Sequence, residues 1–204
     1  MEFRPMLKQG NTFVGICMDA LIRTPALAKA DPWIEATRAL RSSIGMEPVT
    51  QVHALEHGTI WVLSEKYPKL QLGGASTNQG FYVYGRIDPQ ILLAAASEAL
   101  ERFKQGEADL AVHPRCGTNL SVGMLLTMGF AFGFNLLLPR RLPNLVMGAG
   151  LAAMCSSLLS PSLGAKAQKY VTTDIPMNLS ILGIKTQTDW MGRKTHFVQT
   201  QYHS

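Results

Sequence analysis

The chain has 204 residues, enough for one compact domain or a small domain with an appendage. Charged residues make up only 16% and hydrophobic ones 47%, with ten Met and eighteen Gly, a balance that is apolar for a water-soluble protein and points toward lipid. The net charge of +5 comes from scattered Lys and Arg, and no block interleaves basic with aromatic residues. That argues against nucleic acid and leaves a membrane surface as the acidic partner.

Three cysteines, Cys17, Cys116 and Cys155, are far apart and odd in number. They make no disulfide framework, so a reducing compartment is the simpler inference. The N-terminus lacks a continuous apolar core followed by a small-residue cleavage site, so no signal peptide is expected and the first half should stay on the cytoplasmic side.

Residues 1–47 form an N-terminal segment. The apolar run from Phe13 to Ile22 is too short to span a bilayer and is expected on the membrane surface or under the fold. Asp31 and Pro32, followed by Trp33, Ile34, Ala36, Ala39 and Leu40, predict an N-capped short helix with one apolar side, placed to brace the next helix.

Residues 48–119 carry the chemistry. From Pro48 to Lys66 the apolar set Val52, Leu55, Ile60 and Leu63 recurs at helical spacing, and the segment carries His53, Glu56 and His57. Positions i, i+3 and i+4 share one helix face, so two imidazoles and a carboxylate converge. This H-x-x-E-H order is the inverzincin pattern, in which the histidines hold zinc and the glutamate handles the proton of a bound water. Sixty residues on, His113-Pro-Arg115-Cys116 places a third imidazole and a thiol in a turn-forming loop that can direct both to one metal. The metal set is therefore His53, His57, His113 and Cys116, holding zinc or a similar divalent ion. Glu56 and Arg115 are the catalytic candidates. A lone His is more often a hydrogen-bonded core residue, and Cys116 alone reads equally as a small buried hydrophobe.

Between these motifs, Tyr67 and Pro68 stop the helix, and residues 73–80 read as a flexible loop, either a substrate lid or a plain connector. Residues 81–84 are strand-like, Asp88 and Pro89 cap a helix running to about Lys104, and Ala111-Val112 extends briefly.

At Leu120 the composition changes abruptly. Residues 120–138 contain no charge and would make about 28 Å of helix, and residues 144–160 are a second uncharged segment after the turn from Pro139 to Pro143. Residues 120–160 are thus expected to form a transmembrane helical hairpin. Gly129 and Gly133 would offer a slim face to Gly148, Ala149 and Ala152, with a buried hairpin in a soluble bundle as the alternative. Arg140 and Arg141 favour a cytoplasmic turn by the positive-inside rule, against the placement of the rest, so topology stays open within an inner membrane.

Residues 161–204 begin helix-like. Residues 181–186 and 194–201 then flank 189–192 as a β-hairpin packing on the site domain. Asp174 and His196 are further site candidates, though a helix-end Asp and a hairpin His are the plainer readings. The fold expected is α+β: a small mainly helical domain with a two-helix membrane hairpin and a C-terminal β-hairpin.

The pairing of His-Ala-Leu-Glu-His-Gly-Thr-Ile with His-Pro-Arg-Cys-Gly-Thr-Asn before a membrane hairpin resembles a largely uncharacterised family of bacterial membrane proteins, common in cyanobacteria and other phototrophs. It is also similar to a broader bacterial membrane family with a Glu-His-x-x-Ile helix and a His-x-Arg-Cys-Gly-Thr loop. The likeness covers roughly residues 50–160. A further similarity is to the chlorophyllide hydrolases of green photosynthetic bacteria, which remove a methoxycarbonyl group from the pigment's isocyclic ring. That resemblance implies a part in bacteriochlorophyll biosynthesis, with roles carried by Glu56, His57 and His113.

Two functions are expected from these residues. One is a membrane-anchored zinc hydrolase acting on a small ester-type amphiphile, with a tetrapyrrole such as chlorophyllide as one instance. The other is a non-catalytic scaffold or assembly protein in which a closed His/Cys zinc site fixes the domain to the hairpin. Glu56 separates them, because a structural site has no use for it.

Overall fold

A computed structural model describes residues 32–139, 141–188 and 192–203. The expectations for the run from Phe13 to Ile22, for Asp31 as a cap and for Arg140 lie outside these residues, as does the tip of the C-terminal hairpin. Among the described residues, five α-helices and a four-stranded antiparallel sheet make an α+β fold.

Helix α1 spans Pro32–Ser43 and α2 spans Glu47–Lys66, with Pro48 in its first turn where no helical N–H is needed. Residues 73–80, expected as a flexible loop, instead supply strand β1, Gly73–Thr77, which pairs with β2, Gly80–Tyr84, across a tight turn. The small residues weaken the sequence signal for a strand, but they allow close approach to α2. A Cβ added at Gly74 would lie 2.0 Å from Glu56 Oε1.

Helix α3 spans Pro89–Lys104 and is capped by Asp88, whose carboxylate accepts from the backbone N–H of Gln90 and Ile91. It turns Leu92, Ala95, Ala96, Ala99, Leu100 and Phe103 inward at helical spacing. Gly58 of α2 packs on Phe103 and Ala99, so closely that a Cβ there would meet the Phe103 ring at 2.6 Å. A 3₁₀ turn at Ala108–Ala111 leads into the His113 loop.

The hairpin comprises α4, Gly117–Leu137, and α5, Leu142–Ala167, which ends in a π turn at Gln168–Thr172. Both helices are long and apolar enough to cross a membrane. α5 runs past the expected end at residue 160 with Pro161 inside it. The close approach of the two helices is not at Gly129 or Gly133, which face open space. It runs through Gly148 against Phe134, Gly123 against Ser160, and Gly164 against Asn119. Ser156 also donates to the Gly123 carbonyl at 2.7 Å.

Strands β3, Leu179–Thr188, and β4, Lys194–Tyr202, form the C-terminal hairpin. β4 pairs with β2, so the sheet order is β1-β2-β4-β3. In the register, Phe81 faces Val198 and Val83 faces His196, and these residues make the buried side of the sheet. Together with Val52, Leu55, Val62, Leu63, Leu92 and Leu100 they form one core under α2 and α3.

Candidate metal centre

Residues 53, 57 and 61 occupy one face of α2 at steps of four. Each uses a ring N–H to hold a backbone carbonyl. His53 Nδ1 lies 2.9 Å from the Thr172 oxygen, His57 Nδ1 lies 2.6 Å from the Ala111 oxygen, and Trp61 Nε1 donates to the Val112 oxygen at 3.0 Å. A carbonyl only accepts, so both imidazoles carry a proton on Nδ1 and turn Nε2 toward the site. This is the arrangement in which a second partner orients a metal-ligating histidine.

The third donor arrives on the hairpin. Cys116 N–H donates to the His113 carbonyl at 3.2 Å, closing a turn with Pro114 at its second position. Cys116 then caps α4, its sulfur accepting from the Thr118 N–H, and Sγ lies 3.3 Å from His53 Nε2. The donor atoms of His53, His57 and Cys116 lie within 4.8 Å of one another. Tetrahedral zinc, at bond lengths of about 2.0–2.3 Å, needs donors roughly 3–4 Å apart.

His113 stands beside this trio. Its ring lies 5.8 Å from that of His57 and 5.0 Å from Trp61, and its Nδ1 accepts from the Arg115 N–H at 3.2 Å. Its neutral form therefore carries the proton on Nε2. Arg115 is exposed and lines the same cavity.

Glu56 is buried next to the trio, and its carboxylate accepts from the hydroxyl of Ser76 on β1. Burial pushes its pKa up against the opposing pull of the Ser76 hydroxyl and the His57 and His53 rings. Burial also pushes the Cys116 thiol up, but hydrogen bonds from His53 and His57 outweigh it and bring the thiol down to about 5. Burial acts to lower His53 too, and the hydrogen bond and charge of Cys116 reverse it, leaving His53 raised. His113 falls to about 3 through burial, reinforced by the nearby His57 and Arg115. A thiol lowered from its usual range, beside two imidazoles oriented through Nδ1, is a donor set suited to a borderline-soft divalent ion.

These groups line a cavity of about 500 Å³ between α2, β1 and the start of α4. Its remaining wall mixes apolar side chains, among them Met46, Val49, Ile60, Leu63, Leu70 and Leu72, with the hydroxyls of Thr50, Ser64, Thr118 and Thr172. Apolar walls with convergent polar groups are the usual composition of a small-molecule site.

The other two candidates lie elsewhere. Asp174 is buried between Arg38 and Arg41, each at 3.1 Å, and joins α1 to the end of α5. His196 is buried in the sheet and bonded to Thr186 at 2.9 Å.

Several site-forming groups have no signal in the sequence. The Thr172 and Ala111 carbonyls orient the histidines, and a backbone atom has no residue-type signature. Gln168 is fully buried: its Oε1 accepts from the His113 N–H at 2.8 Å, and its Nε2 donates to Asn119 Oδ1 at 2.7 Å. Asn119 in turn donates to the Pro114 carbonyl at 2.8 Å, so two amides fasten the His113 loop to both hairpin helices. Ser76 sits in a run of small residues that reads as a loop, so nothing in the sequence points to it.

Residues 48–184 match the family described as a domain of unknown function, DUF6391. The chain is 45% identical over 163 residues to an uncharacterised protein of Picosynechococcus sp., a match covering 76% of this chain and 80% of that one. No solved structure matches.

Proposed function

The chain belongs to the DUF6391 family, and we propose that it is a metal-dependent hydrolase, anchored in a membrane by α4 and α5, that cleaves an ester-type amphiphile. One observation carries this: three metal donors and a buried carboxylate from the H-x-x-E-H helix share one cavity with a partly apolar wall. Three protein donors leave a coordination position, as in catalytic rather than structural zinc sites.

A zinc ion bound there would lower the pKa of a water to about 7 and polarise the substrate carbonyl. The chain's own groups do the rest. His53, His57 and Cys116 hold the ion, with the two rings oriented by the Thr172 and Ala111 carbonyls. Glu56, its pKa raised by burial, takes the proton from the attacking water and returns it to the leaving alcohol, so that the acid and the alcohol are the products. Arg115 meets a carboxylate on the substrate or the developing oxyanion, and neutral His113 has an Nε2–H to donate.

Chlorophyllide is the first substrate to test. The general similarity to the chlorophyllide hydrolases of green photosynthetic bacteria is the ground for it. The inner membrane, with the site domain on the cytoplasmic side, is the location that accords with free cysteines.

A structural zinc site is the second reading, favoured by His113 standing close enough to His57 for a loop shift to make it a fourth donor. Metal analysis of detergent-purified protein and of His53→Ala/His57→Ala tests the metal: about one zinc per chain is expected, lost in the double variant. Glu56→Gln should then keep its metal and lose about 10²–10⁴-fold in ester turnover. Equal turnover by the variant sinks the hydrolase, and loss of metal makes Glu56 a ligand.

A further inference from the structure

Helix α1 has its polarity reversed. Residues 34, 37, 38 and 41 face the protein, and Arg41 is the one residue of the helix that is buried. Arg38 and Arg41 reach inward to Asp174, and Arg41 donates to the Tyr170 carbonyl at 2.6 Å. The adjoining flank carries Trp33, Ala36 and Leu40 at helical spacing, with Ile44 just past the helix end. Trp33 is 72% exposed, Leu40 61% and Ile44 60%. A helix at a protein–water boundary turns its apolar stripe inward. This one turns its cations inward and its apolar stripe out.

The position of the stripe identifies the medium it meets. α1 docks on Tyr170 and Asp174, in the π turn and just beyond it, where the chain leaves α5. It therefore lies level with the domain end of the hairpin, where the lipid-exposed surface of α4 and α5 begins. Val171, in the π turn on which α1 docks, is exposed, and Met46, two residues past Ile44, is exposed at the surface and lines the cavity at once.

We infer that α1 lies in the plane of the bilayer surface, its Trp33–Ile44 stripe in the headgroup–acyl boundary, and that the cavity opens beside it onto lipid, so that its substrate is a membrane-resident amphiphile. This rests on the reading that the hairpin spans the bilayer. Amphipathic helices that lie on membranes present such a stripe, with Trp among its anchors, and burying it in the interface removes an apolar patch that water would otherwise cover.

The full chain reconstituted in phosphatidylcholine vesicles tests this, with and without brominated acyl chains. Trp emission should be quenched by the brominated lipid, and most of that quenching should vanish in Trp33→Phe. Trp33 emission that is quenched by aqueous iodide and not by brominated lipid puts α1 in water and overturns the inference. Protection from both quenchers overturns it too, since a protein surface then covers the stripe. Release of the wild-type chain by carbonate overturns the hairpin reading and this inference together, whereas a carbonate-resistant chain with an unquenched Trp33 overturns this one alone. As a functional arm, Leu40→Lys/Ile44→Lys should slow hydrolysis of a long-chain ester presented in vesicles while leaving a water-soluble short-chain ester unaffected. Equal slowing of both contradicts access from lipid.

Discussion

α3 turns Leu92, Ala95, Ala99 and Phe103 inward and leaves Glu98, Glu101 and Lys104 toward water, whereas α4 buries no residue at all although it is the more apolar helix. On the proposal that the hairpin spans a membrane, the two obey different solvents. Around α3, each apolar side chain is stabilised by leaving water, so the sequence separates into an apolar and a polar face. Around α4 the apolar residues stay outside, and its approach to α5 uses close contacts at Gly148 and Gly164 and a Ser156 hydroxyl bonded to a backbone carbonyl. The candidate metal centre lies where these regimes meet, with two donors from the water-side helix α2 and one from the cap of α4.

The largest effect should come from the α3 side. Leu92 is fully buried in the core under the sheet, so Leu92→Ala should cost about 2–5 kcal/mol through lost burial and a cavity. Thermal unfolding in detergent, followed by near-UV circular dichroism, measures it. A cost comparable to that of a surface change would mean this core does not govern the domain.

An intermediate effect is expected at the junction. At Gly164 a Cβ would come within 2.1 Å of Asn119 Oδ1 and 3.0 Å of its Cα. Gly164→Val should therefore separate the helix ends and break the Asn119–Gln168 amide pair, costing about 1–3 kcal/mol as overpacking does. Because those amides hold the His113 loop, zinc affinity should fall alongside stability. A chelator competition on both proteins reads this directly. Loss of stability with unchanged zinc affinity would separate the hairpin from the site.

How much is legible in the residues obeys the same division. Residues 89–104 read correctly because water imposes a helical apolar period on them and Asp88 marks its own cap, whereas 48–66 is legible by its length and its Val52, Leu55 and Leu63 spacing although it is buried on most sides. The hairpin is legible as uncharged length, and its contact face only in part. On α5 the small residues Gly148 and Ala152 are buried at the crossing, as their size suggests, whereas Gly129 and Gly133 on α4 look equally suited and meet nothing. β1 reads as a loop because its Gly, Ala and Ser residues carry little strand preference, and its partner β2 supplies the hydrogen bonds. At the site, His53, Glu56, His57, His113 and Cys116 are legible as residue types at telling spacings. That Cys116, rather than His113, sits against His53 depends on the Pro114 turn and the buried Gln168, which no local pattern announces.

The smallest expected effect is the most diagnostic of the contrast. Leu125, on α4, is 68% exposed, and its side chain is surrounded by whatever medium bathes the hairpin. In a bilayer or detergent micelle, Leu125→Ala exchanges one apolar contact for another, so neither a cavity nor new water contact arises. The change in unfolding free energy should stay within about 0.5 kcal/mol, the range of surface substitutions, against several kcal/mol for the same substitution at Leu92. Leu125→Arg sharpens the test, since a charge at mid-helix in hydrocarbon is disfavoured by about 2.5–3.5 kcal/mol on insertion scales. It should lower the membrane-integrated fraction, assayed by carbonate extraction. If Leu125→Ala destabilises as much as Leu92→Ala, then protein covers this face, and the hairpin belongs to a water-soluble bundle or an oligomer. If Leu125→Arg is tolerated while Leu125→Ala is neutral, the face meets water, and the contrast between the two helices no longer reports two solvents.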